Sequence, residues 1–581
     1  MLTTIKRRPK AALSEHFNDL PPILQRIYAQ RGVNSEEEVN HSLSKALPPE
    51  KLLNVEAGIE LIYRHMFEDR RILIVGDFDA DGATSTALFI RALNSFGFTD
   101  VHYLVPNRFE YGYGLTPEIV GVAADFKPSL IITVDNGISS IEGVAAAKAK
   151  GIAVLITDHH LPGRELPQAD VIINPNQPND DFPSKHLAGV GVVFYVLSAL
   201  RAYLREQGWF ENKNIDVPNL AQFLDIVAVG TVADVAKLDY NNRILVDQGL
   251  RRIRAGKCCA GIRALFSIAG KNLSQISSSD LGFVIGPRIN AAGRLEDMSV
   301  GIECFLTDNE EQARLLAQQL NNLNEERKQI EQQMQVQALD VLNNINASNK
   351  LNAIEMKRFG IAVFDADWHQ GVIGIVAARL KERFHRPTIV FAKANENELK
   401  GSARSIVGLH IRDALDLIAT RYPDLINTFG GHAMAAGLSI HADKFASFAS
   451  IFDQTIKELV SEEQLDAILL SDGELKEEEL SLDIAELLFR AGPWGQGFPE
   501  PIFDGVFTVN NHRIVGERHL KLSLTPTGGK RKLDAIAFNI DKYQWHEDLT
   551  QVHIAYQLGV NDFRGVRTVQ LIVQLLGPAD V

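Results

Sequence analysis

Three short stretches of the sequence place acidic or imidazole side chains directly after an apolar run. The stretches are GDFDADG, VDNG and TDHH, and their side chains are Asp77, Asp79, Asp81, Asp135, Asp158, His159 and His160. One carboxylate beside a helix start is an ordinary N-cap, but three carboxylates within five residues repel one another and need a cation or a shared proton. The sequence therefore predicts a cation site.

The types of these side chains indicate which cation would fit. Hard divalent ions prefer carboxylate oxygens, and imidazole shifts the preference from Mg²⁺ toward Mn²⁺. The three cysteines, Cys258, Cys259 and Cys304, are too few and too badly spaced for a thiolate zinc site. Two divalent ions about 3.5–4 Å apart stabilise both the attacking and the leaving oxygen in displacement at phosphorus. We therefore predict hydrolysis of a phosphoryl ester with two Mn²⁺ or Mg²⁺ ions.

The elements that would position these side chains form a repeating pattern. Between residues 71 and 157, apolar runs such as RILIVGDF, LIITVD and AVLITD alternate with segments of helical period. This alternation predicts a parallel sheet, whose strands bring their carboxyl ends to one edge. The three acidic stretches would then converge there. A further acid, Asp234 in TVADV, follows an apolar helix and is either a ligand or an ordinary cap.

The rest of the chain divides into further segments. We predict a helical leader at residues 1–50, a parallel-sheet domain at 51–265, and a motif-bearing segment at 266–350 that ends in one long connecting helix. A second α/β domain follows at 351–460. Short alternating strands at 461–581 indicate a small β-barrel.

Composition excludes several classes of protein. Hydrophobic residues make up 45% of the chain and charged residues 23%. These are ordinary globular values, and they exclude a disordered or fibrous chain. No apolar run approaches a membrane span, and the N-terminus lacks the apolar segment of a signal peptide, so we expect a cytoplasmic protein with no membrane partner. The net charge of -14 argues against coating nucleic acid over the whole surface but permits a local basic groove.

The order of the motifs resembles that of a known enzyme family. DFDADG, DNG, DHH and the Asp of VADV resemble the DHH phosphoesterase superfamily, and FGGHAMAAG at 429–437 resembles the GGH motif of its associated domain. RINAAGR at 288–294, DWHQGVIGIVAARL at 367–380 and KGSARS at 400–405 look specifically like the RecJ family of single-strand-specific exonucleases. The resemblance extends from about residue 50 to the C-terminus.

This resemblance implies a fold and an activity. The fold is α/β, with a parallel-sheet DHH domain, a long connecting helix, a second α/β DHH-associated domain and a C-terminal OB-type β-barrel. The activity is 5′-to-3′ exonucleolytic hydrolysis of single-stranded DNA by a two-metal mechanism, in DNA repair and recombination. We expect a monomer, with single-strand binding protein as a partner.

The resemblance also implies roles for single residues. It assigns metal binding to Asp79, Asp81, Asp135, His159 and Asp234. Asp77 is either a further ligand or a residue that contacts the ligands without binding metal. His160 faces the substrate phosphate in this family, where an imidazolium stabilises charge or protonates the leaving oxygen. Asp158 either binds metal or orients a neighbouring histidine. The predicted catalytic set is Asp79, Asp81, Asp135, His159, His160 and Asp234.

A clamp for a 5′-terminal phosphate and the next nucleotides is predicted from polar and glycine positions. Gly430 and Gly431 let backbone N–H groups approach an anion, and His432 adds a donor. The other predicted members are Arg108, Tyr113, Arg288, Arg294, His369, Ser402 and Arg404. Aromatic residues in the loop at 107–114 either stack on bases or are buried, and His369 either contacts phosphate or caps a helix.

The barrel segment concentrates positive charge in an acidic chain. Its basic residues are Arg513, Arg518, His519, Lys521, Lys530, Arg531 and Lys532. They would form a groove for the backbone of a single strand, although residues 528–532 are equally typical of a solvated loop.

The motifs are also compatible with two other functions. One is a DHH phosphoesterase for small substrates such as oligonucleotides, cyclic dinucleotides or pyrophosphate, for which the barrel has no evident use. The other is a relative that binds single strands without cleaving them, against which the intact set of acidic and histidine residues argues.

Overall fold

The computed structural model describes residues 4–11, 17, 19–106, 114–348, 358–516, 518–539, 545–547, 549–563 and 565–579. The chain divides into two compact units. Unit 1 comprises Met1–Arg8 and Glu325–Ser471, and unit 2 comprises Pro9–Asn324 and Asp472–Val581.

The strands and helices are numbered along the chain. The strands are β1 (Thr4–Arg7), β2 (Ile72–Gly76), β3 (Val101–Leu104), β4 (Leu130–Val134), β5 (Ala153–Thr157), β6 (Val171–Ile173), β7 (Ile361–Phe364), β8 (Thr388–Lys393), β9 (Glu398–Arg404), β10 (Thr428–Gly431), β11 (Ala435–His441), β12 (Ile468–Ser471), β13 (Phe503–Val515), β14 (His519–Pro526), β15 (Leu533–Ala537), β16 (Gln551–Phe563) and β17 (Val566–Pro578). The α-helices are α1 (Pro22–Ala29), α2 (Val55–Phe67), α3 (Ala80–Ser95), α4 (Pro117–Asp125), α5 (Ile141–Ala149), α6 (Gly189–Glu206), α7 (Trp209–Lys213), α8 (Leu224–Ala233), α9 (Tyr240–Arg254), α10 (Ala260–Ile268), α11 (Ser278–Asp280), α12 (Gly286–Leu295), α13 (Ser299–Leu306), α14 (Glu310–Ser348), α15 (Ile373–Phe384), α16 (Ile411–Arg421), α17 (Phe445–Leu459) and α18 (Leu482–Arg490).

A five-stranded parallel sheet forms the centre of the part of unit 2 that precedes α14, as the alternating pattern predicted. Its strand order is β3-β2-β4-β5-β6. Alternate residues face opposite layers of helix: Ile72 and Ile74 join the core that contains α3 and α6, whereas Leu73 and Val75 join the core that contains α4 and α5. Because both faces are covered, the inner strands β2 and β4 are fully buried and almost entirely apolar, whereas the edge strand β3 exposes His102.

A helical layer beside this sheet delivers residues from distant parts of the chain. Helix α8 is buried over residues 224–231 and packs against α3, α6 and α9. A π-helical turn, Leu281–Ile285, leads directly into α12, which packs against α3 and α8. Both α8 and α12 therefore end beside the start of α3.

Unit 1 contains a second sheet, which is mixed and is flanked by helices. Its strand order is β10-β11-β9-β8-β7, in which only β7 and β8 run parallel. The predicted long connecting helix is confirmed as α14, a helix of 39 residues.

The N-terminal leader differs from the helical prediction. Strand β1 pairs in parallel with β12, and residues 22–51 contain α1 and three short 3₁₀ turns. The sequence pattern could not show this strand, because its partner lies more than 450 residues away. The leader also carries Pro21, Pro22, Pro48 and Pro49, which restrict longer helices. The predicted domain boundaries at residues 265, 350 and 460 stay predictions.

The C-terminal part of unit 2 is a closed barrel of order β13-β14-β15-β17-β16, which confirms the predicted barrel. Strand β14 alternates buried and partly exposed residues, as a small filled barrel requires. A buried ion pair between Arg31 and Asp472 joins α1 to the start of the barrel segment within unit 2. None of the helices in the described ranges is long and apolar enough to cross a membrane.

Candidate metal centre

The turn between β2 and α3 holds the first three carboxylates. Asp79 is the N-cap of α3, and its Oδ1 accepts the N–H groups of Asp81 at 2.9 Å and Gly82 at 3.0 Å. The turn is so tight that a Cβ atom at Gly82 would lie 2.4 Å from the carbonyl oxygen of Asp77. Glycine at position 82 therefore allows the turn to close.

Asp81 is anchored by a second helix. The N–H groups of Gly189 and Val190, in the first turn of α6, donate to its two oxygens at 2.6 and 2.9 Å. Helix α6 has no capping side chain of its own, so Asp81 serves as the anion at its N-terminus. This contact fixes the direction of a carboxylate that is only 1% exposed.

Asp135 follows β4 in a left-handed backbone conformation, with φ at 62°. A non-glycine residue in this region stores strain that the surrounding structure must hold. Its Oδ1 lies 3.0 Å from His159 Nε2, so the ends of β4 and β5 meet as predicted.

Asp158 occupies an orienting position. Its Oδ1 accepts the Nδ1–H of His160 at 2.7 Å and the backbone N–H groups of His159 and His160, and its Oδ2 accepts the N–H of Ile138. Among the described residues, the groups of ligand atoms that are close enough to share an ion do not include Asp158. The geometry favours orientation of His160 over metal binding.

Asp234 is both a helix cap and a member of the cluster. It is the C-cap of α8, and its Oδ2 lies 3.9 Å from His159 Nε2. The N–H groups of Val235 and Ala236 bond back to Val232 and Thr231, which ends the helix in a Schellman motif. Val235 therefore takes φ of 59°, where glycine is usual and a β-branched residue is strained.

The ligand atoms form three overlapping groups, each within 4.8 Å. The groups are Asp135, His159 and His160; Asp81, His159 and Asp234; and Asp77, Asp79 and Asp135. Because Asp135 and His159 each belong to two groups, the atoms make one continuous cluster.

The electrostatics of the cluster fit a divalent cation. Burial, together with the charge of Asp79, raises the pKa of Asp81 to about 7. Burial and the neighbouring carboxylates raise the pKa values of Asp135 and Asp234 well above their ordinary range. Buried carboxylates at these distances are stable when a cation compensates them, and oxygen and imidazole donors suit Mn²⁺ or Mg²⁺.

His160 lies at the edge of the cluster, and its pKa is raised above the ordinary value. Burial opposes its charged form, but the hydrogen bond to Asp158 and the charge of that carboxylate raise its pKa to about 9. Since Nδ1 donates to Asp158, the Nε2 edge of the ring points away from that carboxylate. The side chain is 30% exposed, so a substrate can reach it.

Two residues that the sequence analysis did not single out support the cluster. Gly189 lies so close to Asp135 that a Cβ atom there would be 2.6 Å from Asp135 Cβ. Asn290 Oδ1 accepts the N–H of Ala80 at 2.8 Å. The only sequence signal for either was its place in a glycine-opened helix or in the RINAAGR motif.

The predicted clamp residues of unit 2 lie on α12. Arg288 donates to Asn321 Oδ1 at 3.1 Å and to the carbonyl oxygen of Val284 at 2.7 Å, and Arg294 lies near the end of the same helix. Arg108 and Tyr113 lie outside the described residues.

The predicted clamp residues of unit 1 form two groups. Ser402 and Arg404 lie on β9, and a Cβ atom at Gly374 in α15 would be 3.0 Å from Ser402 Oγ and 3.1 Å from Arg404 Nη2. His369 Nδ1 accepts the N–H of Gly371 at 3.1 Å. This bond lies before α15, whose N-cap is Val372, so phosphate contact by His369 stays a prediction.

The second group comprises Gly430, Gly431 and His432, and the register of the strands determines where its two glycines lie. Gly430 is opposite Gly437, which in turn is opposite Ser402, so β10, β11 and β9 bring these backbones side by side. Gly431 has φ of 140°, which favours glycine, and His432 follows it directly.

We predict that Gly189→Ala weakens Mn²⁺ binding about 10- to 100-fold, because the added methyl group displaces the Asp135 side chain. Isothermal titration calorimetry with Mn²⁺ measures the change. Gly121→Ala is the matched control, since it is also in a helix and a Cβ atom there meets nothing within 4 Å. Equal Mn²⁺ affinity in Gly189→Ala and the wild type would contradict the assignment of Asp135.

Family models match three consecutive parts of the chain: the DHH family, N-terminal domain, at residues 71–231, the DHHA1 domain at 357–458 and the RecJ OB domain at 471–574. The crystal structure of RecJ in complex with Mn²⁺ from Thermus thermophilus matches with a TM-score of 0.80 at 27% identity, over 99% of this chain and 80% of that chain.

Full-length relatives share more of the sequence. The chain is 52% identical over 575 residues to the single-stranded-DNA-specific exonuclease RecJ of Escherichia coli K12, which covers 99% of both chains. It is 53% identical over 579 residues to the protein of the same name from Dickeya dadantii, which covers 100% of both. The chain therefore belongs to the RecJ family of single-stranded-DNA-specific exonucleases.

Proposed function

We propose that this protein is a metal-dependent exonuclease that hydrolyses single-stranded DNA from its 5′ end, in DNA repair and recombination. The observation that carries the proposal is the continuous cluster of buried and partly exposed carboxylates and imidazoles at the carboxyl edge of the parallel sheet. Full-length relatives named as single-stranded-DNA-specific exonucleases support the choice of substrate.

Six residues would hold two Mn²⁺ or Mg²⁺ ions. They are Asp77, Asp79, Asp81, Asp135, His159 and Asp234. When bound, the ions supply Lewis acidity and stabilise the attacking and leaving oxygens of the phosphodiester. The RecJ of Thermus thermophilus has been crystallised in complex with Mn²⁺ and in complex with Mg²⁺, which supports either ion.

The protein contributes fixed ligand directions and one positioned proton. Asp79 and Asp81 are held by backbone N–H groups, so little reorganisation is needed when a phosphate arrives. His160 keeps its proton through Asp158, and its Nε2 edge donates to a phosphate oxygen or protonates the leaving oxygen.

Residues in each unit are proposed to bind phosphates of the strand near its 5′ end, and each unit is considered by itself. Arg288 and Arg294 in unit 2 supply donors of the type that binds phosphate, and so do His369, Ser402, Arg404, Gly430, Gly431 and His432 in unit 1. Arg108 and Tyr113 complete the proposed set. We further propose a cytoplasmic monomer with single-strand binding protein as a partner, for which the family resemblance is the support.

The barrel is proposed to track the backbone of the strand. Arg513 on β13 lies directly opposite Lys521 on β14, which places two cations on one hairpin. Lys521 also pairs with Asp534 at 3.0 Å. The backbone N–H groups of Lys530 and Arg531 are tied to Glu477, which suits an ordered exposed turn.

We predict that Asp135→Ala lowers hydrolysis of a 5′-labelled single strand by more than about 100-fold. Loss of a residue that only hydrogen-bonds to a metal ligand lowers metal affinity or activity about 10- to 100-fold, and loss of a ligand itself should cost more. Binding of the strand without divalent ions should stay at the wild-type level. Degradation of 5′- and 3′-labelled DNA and RNA, in Mn²⁺ and in Mg²⁺, measures activity and polarity together, and a dinucleotide substrate tests the small-substrate alternative.

Asp125→Ala, at the exposed end of α4, is the matched control for this substitution. Normal turnover by Asp135→Ala would contradict the proposed ligand set.

We predict that Asp158→Asn lowers kcat about 10- to 100-fold with little change in KM, because His160 loses the charge that holds its proton and orientation. The number of Mn²⁺ ions bound per chain should not change. A lower number of bound ions would show instead that Asp158 is a metal ligand.

We predict that replacing Arg513 and Lys521 by alanine weakens strand binding and lowers the slope of log affinity against log salt, by about 0.7 for each phosphate that the protein no longer neutralises. Fluorescence anisotropy over a salt series measures the slope. Lys150→Ala, at the exposed end of α5, is the control. An unchanged slope in the double variant would remove the barrel hairpin from the DNA-binding surface.

A further inference from the structure

Helix α12 contacts the metal-binding turn through its side chains and its backbone. Asn290 Oδ1 accepts the backbone N–H of Ala80 at 2.8 Å. Ala80 is the first residue of α3, lies between Asp79 and Asp81, and is 1% exposed. The hydrogen bond therefore acts on the peptide that joins two proposed metal ligands.

The bond supplies an acceptor for an N–H group at the start of α3. The first four N–H groups of a helix, from the N-cap onward, have no partner within the helix. Three of them belong here to Ala80, Asp81 and Gly82. The side chain of Asp79 accepts those of Asp81 and Gly82, and Asn290 accepts that of Ala80.

A second contact lies on the same face of α12. Residues three apart on a helix are neighbours, and Gly293 lies three residues after Asn290. A Cβ atom at Gly293 would be 1.9 Å from the carbonyl oxygen of Phe78, so the helix approaches the turn at backbone distance. Asn290 and Gly293 together hold residues 78–80 against α12.

We propose that Asn290 is a positioning residue of the metal centre: its hydrogen bond to Ala80 fixes the DFDADG turn, so that Asp79 and Asp81 point into the cluster. This inference rests on the proposed metal-dependent function. Without the acceptor, the buried N–H of Ala80 must find another partner, and the turn that carries both ligands moves. The primary effect is then on metal affinity, and loss of activity follows from it.

The test measures Mn²⁺ binding by calorimetry on the full-length protein, together with the Mn²⁺ concentration that gives half-maximal hydrolysis of single-stranded DNA. Asn290→Ala should raise both the dissociation constant and this concentration about 10- to 100-fold, whereas Asn290→Asp, which keeps the acceptor oxygen, should recover most of the loss. DNA binding without metal and the thermal midpoint without metal should stay near wild type. Asn322→Ala, an exposed asparagine on α14, is the matched control.

Gly293→Ala provides an independent variant, because its methyl group would displace the carbonyl of Phe78; it should also weaken Mn²⁺ binding. Wild-type Mn²⁺ affinity in Asn290→Ala would overturn the inference. Equal losses in Asn290→Ala and Asn290→Asp, with a lowered midpoint in the absence of metal, would show a structural role only and would also overturn it. Failure of the wild-type protein to bind Mn²⁺ would overturn the proposed metal centre itself, and this inference with it.

Discussion

Carboxylates converge at the carboxyl edge of one parallel sheet, and their mutual repulsion must be compensated there. Burial and mutual charge raise the pKa values of Asp81, Asp135 and Asp234, so the chain alone does not stabilise their ionised forms. Their convergence is unfavourable unless a cation binds among them. Helices α3 and α8 supply ligands at this edge, and α6 and α12 hold ligands or the turn that carries them in place.

Backbone N–H groups fix the directions of two of the proposed ligands. The start of α6 donates two N–H groups to Asp81, and the start of α3 donates two to Asp79. Two strained residues belong to the same arrangement, Asp135 and Val235, and such conformations cost about 1–3 kcal/mol each. They persist because the ends of β4 and α8 are fixed by packing on both sides. Rigid ligand directions suit a site that must hold two ions at a set separation.

The sequence was sufficient for the features that depend on neighbouring residues. Continuous apolar strands, the acids at their ends and the long helix α14 follow from local periodicity, and the structure has them. The support from distant residues could not be predicted in this way. Gly189 and Asp81 are hydrogen-bonded although 108 positions separate them in the sequence, and Asn290 and Ala80 are separated by 210 positions. Neither glycine nor asparagine indicates such a contact by its residue type.

The same limit explains the outcomes at Asp234, Asp158 and the N-terminus. Asp234 could be interpreted as a cap or a ligand, and the packing of α8 makes it a cap that points toward His159. Asp158 could bind metal or orient a histidine, and the four N–H groups that donate to its carboxylate favour the orienting role. Strand β1 was missed because only its distant partner β12 makes it a strand.

Electron paramagnetic resonance of the wild-type protein titrated with Mn²⁺ distinguishes two ions with a bridging ligand from separate ions. We expect two Mn²⁺ per chain with spectra of exchange-coupled ions. The coupled signal should be lost in Asp135→Ala, because the Asp135 carboxylate belongs to two ligand groups and its two oxygens can bind different ions. A single isolated Mn²⁺ signal in the wild-type protein, or a coupled signal that survives Asp135→Ala, would show that the ions do not share this ligand.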